Sequence, residues 1–243
     1  MILPKLQFNF YKRSAIALLL FAIFNLWIGQ FTDIDLRIED YYFNAATHHF
    51  PWKNTWFAND FMHDYLKSVI LDLGGLMILV VVLDLIYPWR IISQWLRFRL
   101  RFVAIAAILI SSTIALGKHF SALHCPSDID RYHGLAHFIR LLDAIPVAMQ
   151  AGHCFPAGHA SVGLWLAALC VFWLPHKPKN ALAVFLAGLT VGFVLGWVQQ
   201  MRGEHFLFHT LWSVWIAAFF VLVMLGICKS LNPSHQSLYS TSN

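Results

Sequence analysis

Charged side chains are scarce in this chain. Asp, Glu, Lys and Arg make up 12% of its 243 residues, where roughly 25% is usual for a soluble domain. So low a share excludes an ordinary cytosolic domain and a disordered chain. Only four cysteines are present, too few for a disulfide-stapled mini-protein. No internal repeat and no low-complexity segment stands out, which argues against a transporter built from duplicated halves. The positive excess, a net charge of +5, is scattered among apolar runs rather than clustered. It therefore points to no nucleic-acid partner and suits a basic face meeting anionic lipid. What the chain has in abundance is hydrophobic residues, 59% of the total with a mean hydropathy of +0.62. The expected fold class is all-α, one polytopic membrane domain over 1–243.

A membrane span needs roughly 20 mostly apolar residues. Six candidates can be read off, at about 14–31, 68–89, 102–117, 160–175, 181–200 and 206–228. The first follows Lys5, Lys12 and Arg13 but has no small-residue cleavage site behind it, so it reads as an uncleaved anchor. Six spans put both termini on one side of the membrane. The segments on that side (1–13, 90–101, 176–180 and 229–243) carry ten Lys or Arg in 45 residues, against seven in 83 on the other. The denser set marks the cytoplasmic side, and Trp52, Trp56, Trp89 and Trp95 fall near the predicted lipid–water boundaries. Residues 32–67, rich in aromatics, His and Asp, read as an interfacial layer. The stretch 137–147 has helical spacing and reads as a helix along the surface. The polar tail 232–243 reads as frayed.

The outer segments hold the chemistry. Six of the thirteen histidines lie in 118–159, and His205 and His209 stand opposite across the last short loop. Three clusters sit at span ends on this face: Lys118 to Pro126, Cys154 to Ser161, and Gln199 to His209. A Gly-His step (Gly158-His159) at a helix start places an imidazole beside exposed N–H groups that attract anions. Lys118 and Arg202 add positive charge at the same depth. Two histidines can serve as nucleophile and proton donor, because imidazole titrates near neutral pH. Those are the parts that phosphoryl transfer needs. Cys125 and Cys154 both fall on this face and are candidates for a disulfide if it is oxidising; the sequence leaves their pairing open. Cys170 and Cys228 lie in spans and read as small apolar residues.

In these clusters the chain resembles the type 2 phosphatidic acid phosphatase superfamily of membrane lipid phosphatases, over roughly residues 100–228. Its three motifs are K-x6-R-P, P-S-G-H and S-R-x5-H-x3-D on a six-helix core. Lys118 and Pro126 stand at the first spacing, Pro156, Gly158 and His159 match the second, and His205 takes the histidine of the third. The resemblance implies that His205 is the nucleophile, forming a phosphohistidine, that His159 is the general acid, and that Lys118 holds phosphate oxygens. It implies no metal and no other cofactor.

Four positions depart from the family pattern. Cys125 stands for the arginine before Pro126, Ala157 for the serine of the second motif, Gln199 for the arginine of the third, and His209 for its aspartate. Arg202 is the substitute expected to contact phosphate, with Arg131 and Arg140 behind it. His209, one helical turn past His205, is expected to hold the nucleophile's tautomer. Asp72 is expected to pair with a polar group near the site, while Asp84 reads as boundary charge.

The reading is therefore a metal-independent lipid phosphatase of a bacterial inner membrane, active at the periplasmic face on a lipid A, undecaprenyl or glycerophospholipid phosphate. One alternative is a lipid phosphotransferase using the same site. Another is a di-iron desaturase or hydroxylase, invited by the HxxxH pairs His133/His137 and His205/His209 but lacking that family's HxxHH clusters. A transporter or lipid-binding protein without chemistry is a third. Oligomeric state is left open.

Overall fold

The computed structural model describes residues 3–147 and 149–230. In chain order its helices are α1 (Leu3–Phe31), α2 (Ile34–Tyr42), a 3-10 turn (Pro51–Asn54) and a π-helix (Trp56–Leu66) that runs unbroken into α3 (Lys67–Ile86). There follow α4 (Gln94–Phe120), α5 (Gly158–Leu164) continuing directly as a 3-10 helix (Trp165–Trp173), α6 (Pro178–Met201) and α7 (Leu207–Ser230). Among the described residues five helices are long and apolar enough to cross a membrane: Asn9–Phe31, Trp56–Ile86, Gln94–Phe120, Pro178–Met201 and Leu207–Cys228. Large apolar side chains such as Leu76, Leu79 and Ile105 stand exposed on the outside of the bundle, as lipid-facing helices require.

The sixth apolar element, Gly158–Trp173, is shorter. It has seven α-helical residues and nine 3-10 residues. At rises of about 1.5 and 2.0 Å per residue it extends about 28 Å, close to the roughly 30 Å of a hydrocarbon core. It runs along α6, where Gly188 lets the Ala167 backbone approach closer than any β-carbon would permit. Small residues at helix contacts substitute close van der Waals packing for the hydrophobic effect, which lipid does not supply.

Alternating passes leave the described chain ends together, opposite the end that carries the three motif segments. Along α1 and α7 the Tyr11 hydroxyl donates to the Leu225 carbonyl at 3.3 Å, the Leu18 carbonyl accepts from the Trp215 indole at 2.8 Å, and Gly29 packs on the Phe208 ring, so the two helices run antiparallel. At the far end Asp84 accepts from Arg97 through both carboxylate oxygens, at 2.7 and 3.0 Å, and from Arg101 at 3.2 Å, so it is boundary charge. Asp72 is exposed on α3 and makes no ion pair among the described residues. The expected partner near the site is not there.

Over the motif end lies a second, smaller core of Phe50, Ile129, Tyr132 and Phe206, with Leu36, Tyr42, Phe43 and Phe138 packed around it. α2 is fastened to this layer by Arg131 on Asp40 at 2.7 Å and Arg140 on Asp33 at 2.6 Å. These two arginines are thereby spent on structure, not on the site. The expected surface helix over 137–147 is absent. Asp143 instead accepts from the Arg140 backbone N–H and the Gln30 amide, both at 2.9 Å, closing a turn, and Pro146 cannot donate to continue a helix. The tail 232–243 lies outside the described residues.

Candidate active site

The three motif segments meet at one end of the bundle, and each pair of them is tied directly. Cys125 of the first is bonded to Cys154 of the second in a disulfide, their Cα atoms 5.3 Å apart. Ser127 N–H donates to the Gly203 carbonyl at 2.9 Å, joining first to third. Ala157 N–H donates to the His209 carbonyl at 3.2 Å, and the Ser213 hydroxyl donates to the Ala157 carbonyl at 3.0 Å, joining second to third. Gly203 holds a φ of +73°, and any side chain there would strike the Phe50 ring. Only glycine makes this turn without strain, and the turn carries the chain from Arg202 to His205.

Within this frame four imidazoles stand in a file. His63 lies 4.6 Å from His159, His159 lies 6.1 Å from His205, and His205 lies 5.9 Å from His209, centroid to centroid. His205 is 2% exposed. Burial holds its imidazole well below the usual range, with His209 and Lys118 adding to the effect, so the ring is neutral and its lone pair is available. Its Nδ1 lies 3.3 Å from Cys154 Sγ. His159 is half-buried at the first turn of α5, and its Nε2 is buried without a hydrogen-bond partner. Lys118, in the last turn of α4, crosses Gly158, with Cδ 3.7 Å and Nζ 4.0 Å from where a β-carbon would stand. His209 packs against Phe155, Phe206 and Phe208, and its Nδ1 has no partner. No hydrogen bond joins it to His205.

Arg202 is 6% exposed at the end of α6. Its Nη1 donates to the Gln199 side-chain oxygen and its Nη2 to that of Asn59, both at 2.9 Å. A guanidinium has five N–H donors, so three remain, among them a buried and unpartnered Nε. Gln199 thus props up the arginine three residues later.

Three residues that carried no motif signal complete the site. Asn59 and His63 lie on the π-helix and Lys67 at the start of α3, at four-residue intervals along one helix. Asn59 reaches Arg202, His63 packs on His159, and Lys67 lies within electrostatic reach of the same ring. His63 Nδ1 pairs with Asp64 Oδ1 at 2.7 Å. π-helical turns are rare and recur at functional sites. The signal in the sequence was a polar N-x3-H-x3-K stripe running into the second apolar segment, in a region read as interfacial.

Asp35 connects α2 to the same place. It is 5% exposed, and its carboxylate accepts from the Phe208 N–H at 3.0 Å, at the start of the helix that carries His209. Burial pushes its carboxyl up to about 6, and burial with the nearby Asp35 charge holds Glu39 well above the carboxylate range. The unfolded chain therefore releases the Asp35 proton at lower pH than the folded one. Stability falls as pH rises from about 4 to 6, by about 3 kcal/mol from this group. Asp35→Asn keeps the acceptor oxygen and removes the titration. Its thermal midpoint in detergent is expected to fall less across pH 4–6 than that of the unaltered protein.

The family profile of the PAP2 superfamily matches residues 98–231, more than half of the chain. The chain belongs to this superfamily. No curated protein and no solved structure matches it significantly. The match begins in α4 and ends with α7, and so takes in all three motif segments. Membership makes the protein a membrane phosphatase by family. The ligand arrangement of a di-iron centre is not assembled among the described residues. Among the described residues the one group of three or more His, Cys, Asp or Glu ligand atoms lying within 4.8 Å of one another is Cys125, Cys154 and His205, and its two sulfurs are bonded to each other. His133 and His137 flank a turn rather than sharing a helix face, and His137 pairs with Asp130 at 2.6 Å.

Proposed function

We propose that the protein is a metal-independent lipid phosphatase that removes phosphate from a lipid phosphate monoester or diphosphate through a phosphohistidine on His205. The observation that carries this reading is the meeting of a neutral buried His205, a His159 with an unpartnered Nε2, and Lys118 at one end of a bundle of apolar helices. In the first step Nε2 of His205 attacks phosphorus, the bond to the lipid oxygen breaks, and His159, kept protonated by the negative charge of the phosphate beside it, gives that oxygen its proton. In the second, His159 takes a proton from water, the water oxygen attacks phosphorus, and the P–N bond breaks to release phosphate. The proton count closes on His159. Lys118, Arg202 and the Gly158 backbone hold the phosphate oxygens, where fixed cations stabilise the charge that builds in the transition state.

The chain then makes six passes with both termini cytoplasmic, a reading supported by the Lys/Arg bias. The site faces the periplasm of a bacterial inner membrane, and the lipid enters sideways with its chains left in the bilayer. Phosphate release from a panel of lipid phosphates in the presence of EDTA tests the reading. Release that requires added metal, or no release from any lipid, would overturn it. Product analysis separates release to water from transfer to a second lipid.

The Arg202 clamp gives its own prediction. Arg202→Ala is expected to lower kcat/KM by about 10²–10³, the usual cost of one electrostatic contact to the transition state. Asn59→Ala removes a hydrogen bond to a charged group, worth about 1.5 kcal/mol or more, and should cost about tenfold. Steady-state kinetics check both. An Asn59→Ala enzyme of normal rate would show that Arg202 needs no prop from the π-helix.

A further inference from the structure

The proposed mechanism does not use the contact between Cys154 and His205. Both residues are buried, with Cys154 at 0% and His205 at 2% exposure. The Sγ–Nδ1 separation is 3.3 Å, and the Glu204 carbonyl oxygen lies 3.1 Å from the same sulfur. In the family motif an aspartate one turn past the nucleophile stands ready to accept a hydrogen bond from it. Here that position is His209, whose ring is 5.9 Å from His205 with no hydrogen bond between them. Among the described residues the ring's polar neighbours both belong to Cys154: its sulfur faces Nδ1, and its backbone carbonyl adds a smaller hydrogen-bonding contribution to the imidazole.

A disulfide sulfur carries lone pairs and no hydrogen, so it can accept but never donate. Facing it, Nδ1 must carry the ring proton, and the lone pair then lies on Nε2, the nitrogen free to attack. A thiol at the same place does carry a hydrogen. Donating to the Glu204 carbonyl it still accepts from Nδ1, but donating to Nδ1 it puts the ring proton on Nε2, so a thiol admits both tautomers where the disulfide admits one. We infer that the Cys125–Cys154 disulfide sets the tautomer of His205, standing in for the absent carboxylate, and that reducing it slows the enzyme. The inference rests on His205 as nucleophile. Cys154 is on this account a positioning residue, and the wrong tautomer at a catalytic histidine can cost up to about 10⁴ in kcat.

The chemistry of the switch is ordinary thiol–disulfide exchange. A dithiol reductant attacks Cys125 Sγ, the half-buried sulfur of the pair, and Cys154 leaves as a thiolate that takes up a proton. The reductant's second thiol then displaces Cys125 and closes into a cyclic disulfide. Two electrons and two protons pass to the protein.

The test uses the full chain in detergent, oxidised or treated with dithiothreitol, with EDTA throughout so that the freed thiols and His205 capture no metal. ¹⁵N spectra of ring-labelled histidine report the tautomer, and the His205 signals are identified by their loss in His205→Gln. The oxidised protein should show a protonated Nδ1 and a bare Nε2. Reduction should shift both signals and lower kcat about tenfold or more, with KM little changed and activity restored on reoxidation. Cys125→Ala, which leaves the Cys154 thiol in place, should match the reduced protein in rate and spectrum. A His205 found with its proton on Nε2 in the oxidised state would overturn the inference. So would a rate loss on reduction without a spectral change, since that would mark the disulfide as a mere staple. Phosphate release that survives His205→Ala would instead refute the nucleophile assignment, while the spectrum still reports the tautomer.

Discussion

His205→Ala is expected to reduce phosphate release from every lipid substrate by about 10⁴–10⁶, the scale on which removing a covalent nucleophile acts. No neighbouring group is placed to replace it. His209 is packed among three phenylalanines, and Lys118 is the cation proposed to hold phosphate. What remains in the variant is direct attack by water with His159 as base, helped by the surviving cations. The accompanying covalent test is a short incubation of the unaltered protein with lipid labelled in its phosphate. It should leave a labelled protein, stable in alkali and labile in acid, that is absent in His205→Ala. A variant with near-normal turnover would move the nucleophile elsewhere. Thermal midpoints of the two proteins, if close, exclude unfolding as the cause.

The two histidines and the lysine that the fold brings to one end of the bundle can be named from the sequence because each stands at a fixed spacing at the end of an apolar run. The apolar runs themselves were read short at their polar ends. A hydropathy window sees the lipid-facing part of a helix, so α4 was read from 102 although it starts at Gln94, ahead of Arg97, Arg99 and Arg101. The second apolar run reads from 68, although the continuous helix that ends as α3 starts at Trp56. Asn59, Asp60, His63 and Asp64 interrupt its apolar pattern, yet Asn59 and His63 are turned to Arg202 and His159, partners that no local pattern reveals. The converse error fell on 137–147, where apolar spacing suggested a helix but the side chains of Asp143 and Gln30 hold the backbone in a turn. Arg131 and Arg140 were plausible phosphate ligands by charge alone, and only tertiary structure shows each committed to α2. The Cys125–Cys154 contact with His205 was beyond the sequence for the same reason. Which atom of a nearby cysteine faces which nitrogen is a matter of ångströms.

His159 offers the second large effect, and its form separates the two steps of the cycle. His159→Ala is expected to slow lipid-phosphate hydrolysis by about 10²–10⁴, the range for loss of general acid–base catalysis. The first step suffers because an alkyl or phosphate oxygen leaves poorly without a proton. An activated aryl phosphate needs no such proton, so in the variant its attack by His205 should be nearly unimpaired. The second step still needs His159 to take a proton from the attacking water, whatever group has left. With an aryl phosphate the variant should therefore release one equivalent of phenol in a fast burst and then turn over slowly, with phosphoprotein accumulating. With lipid phosphates the same variant should show no burst, because formation of the intermediate is then the slow step. His63, packed 4.6 Å from His159, is the nearest imidazole to that position, and His159→Ala with His63→Ala measures any rescue by it. Equal losses on lipid and aryl substrates, with no burst and no accumulated phosphoprotein, would remove His159 from the reaction and leave it as a positioning group for the phosphate.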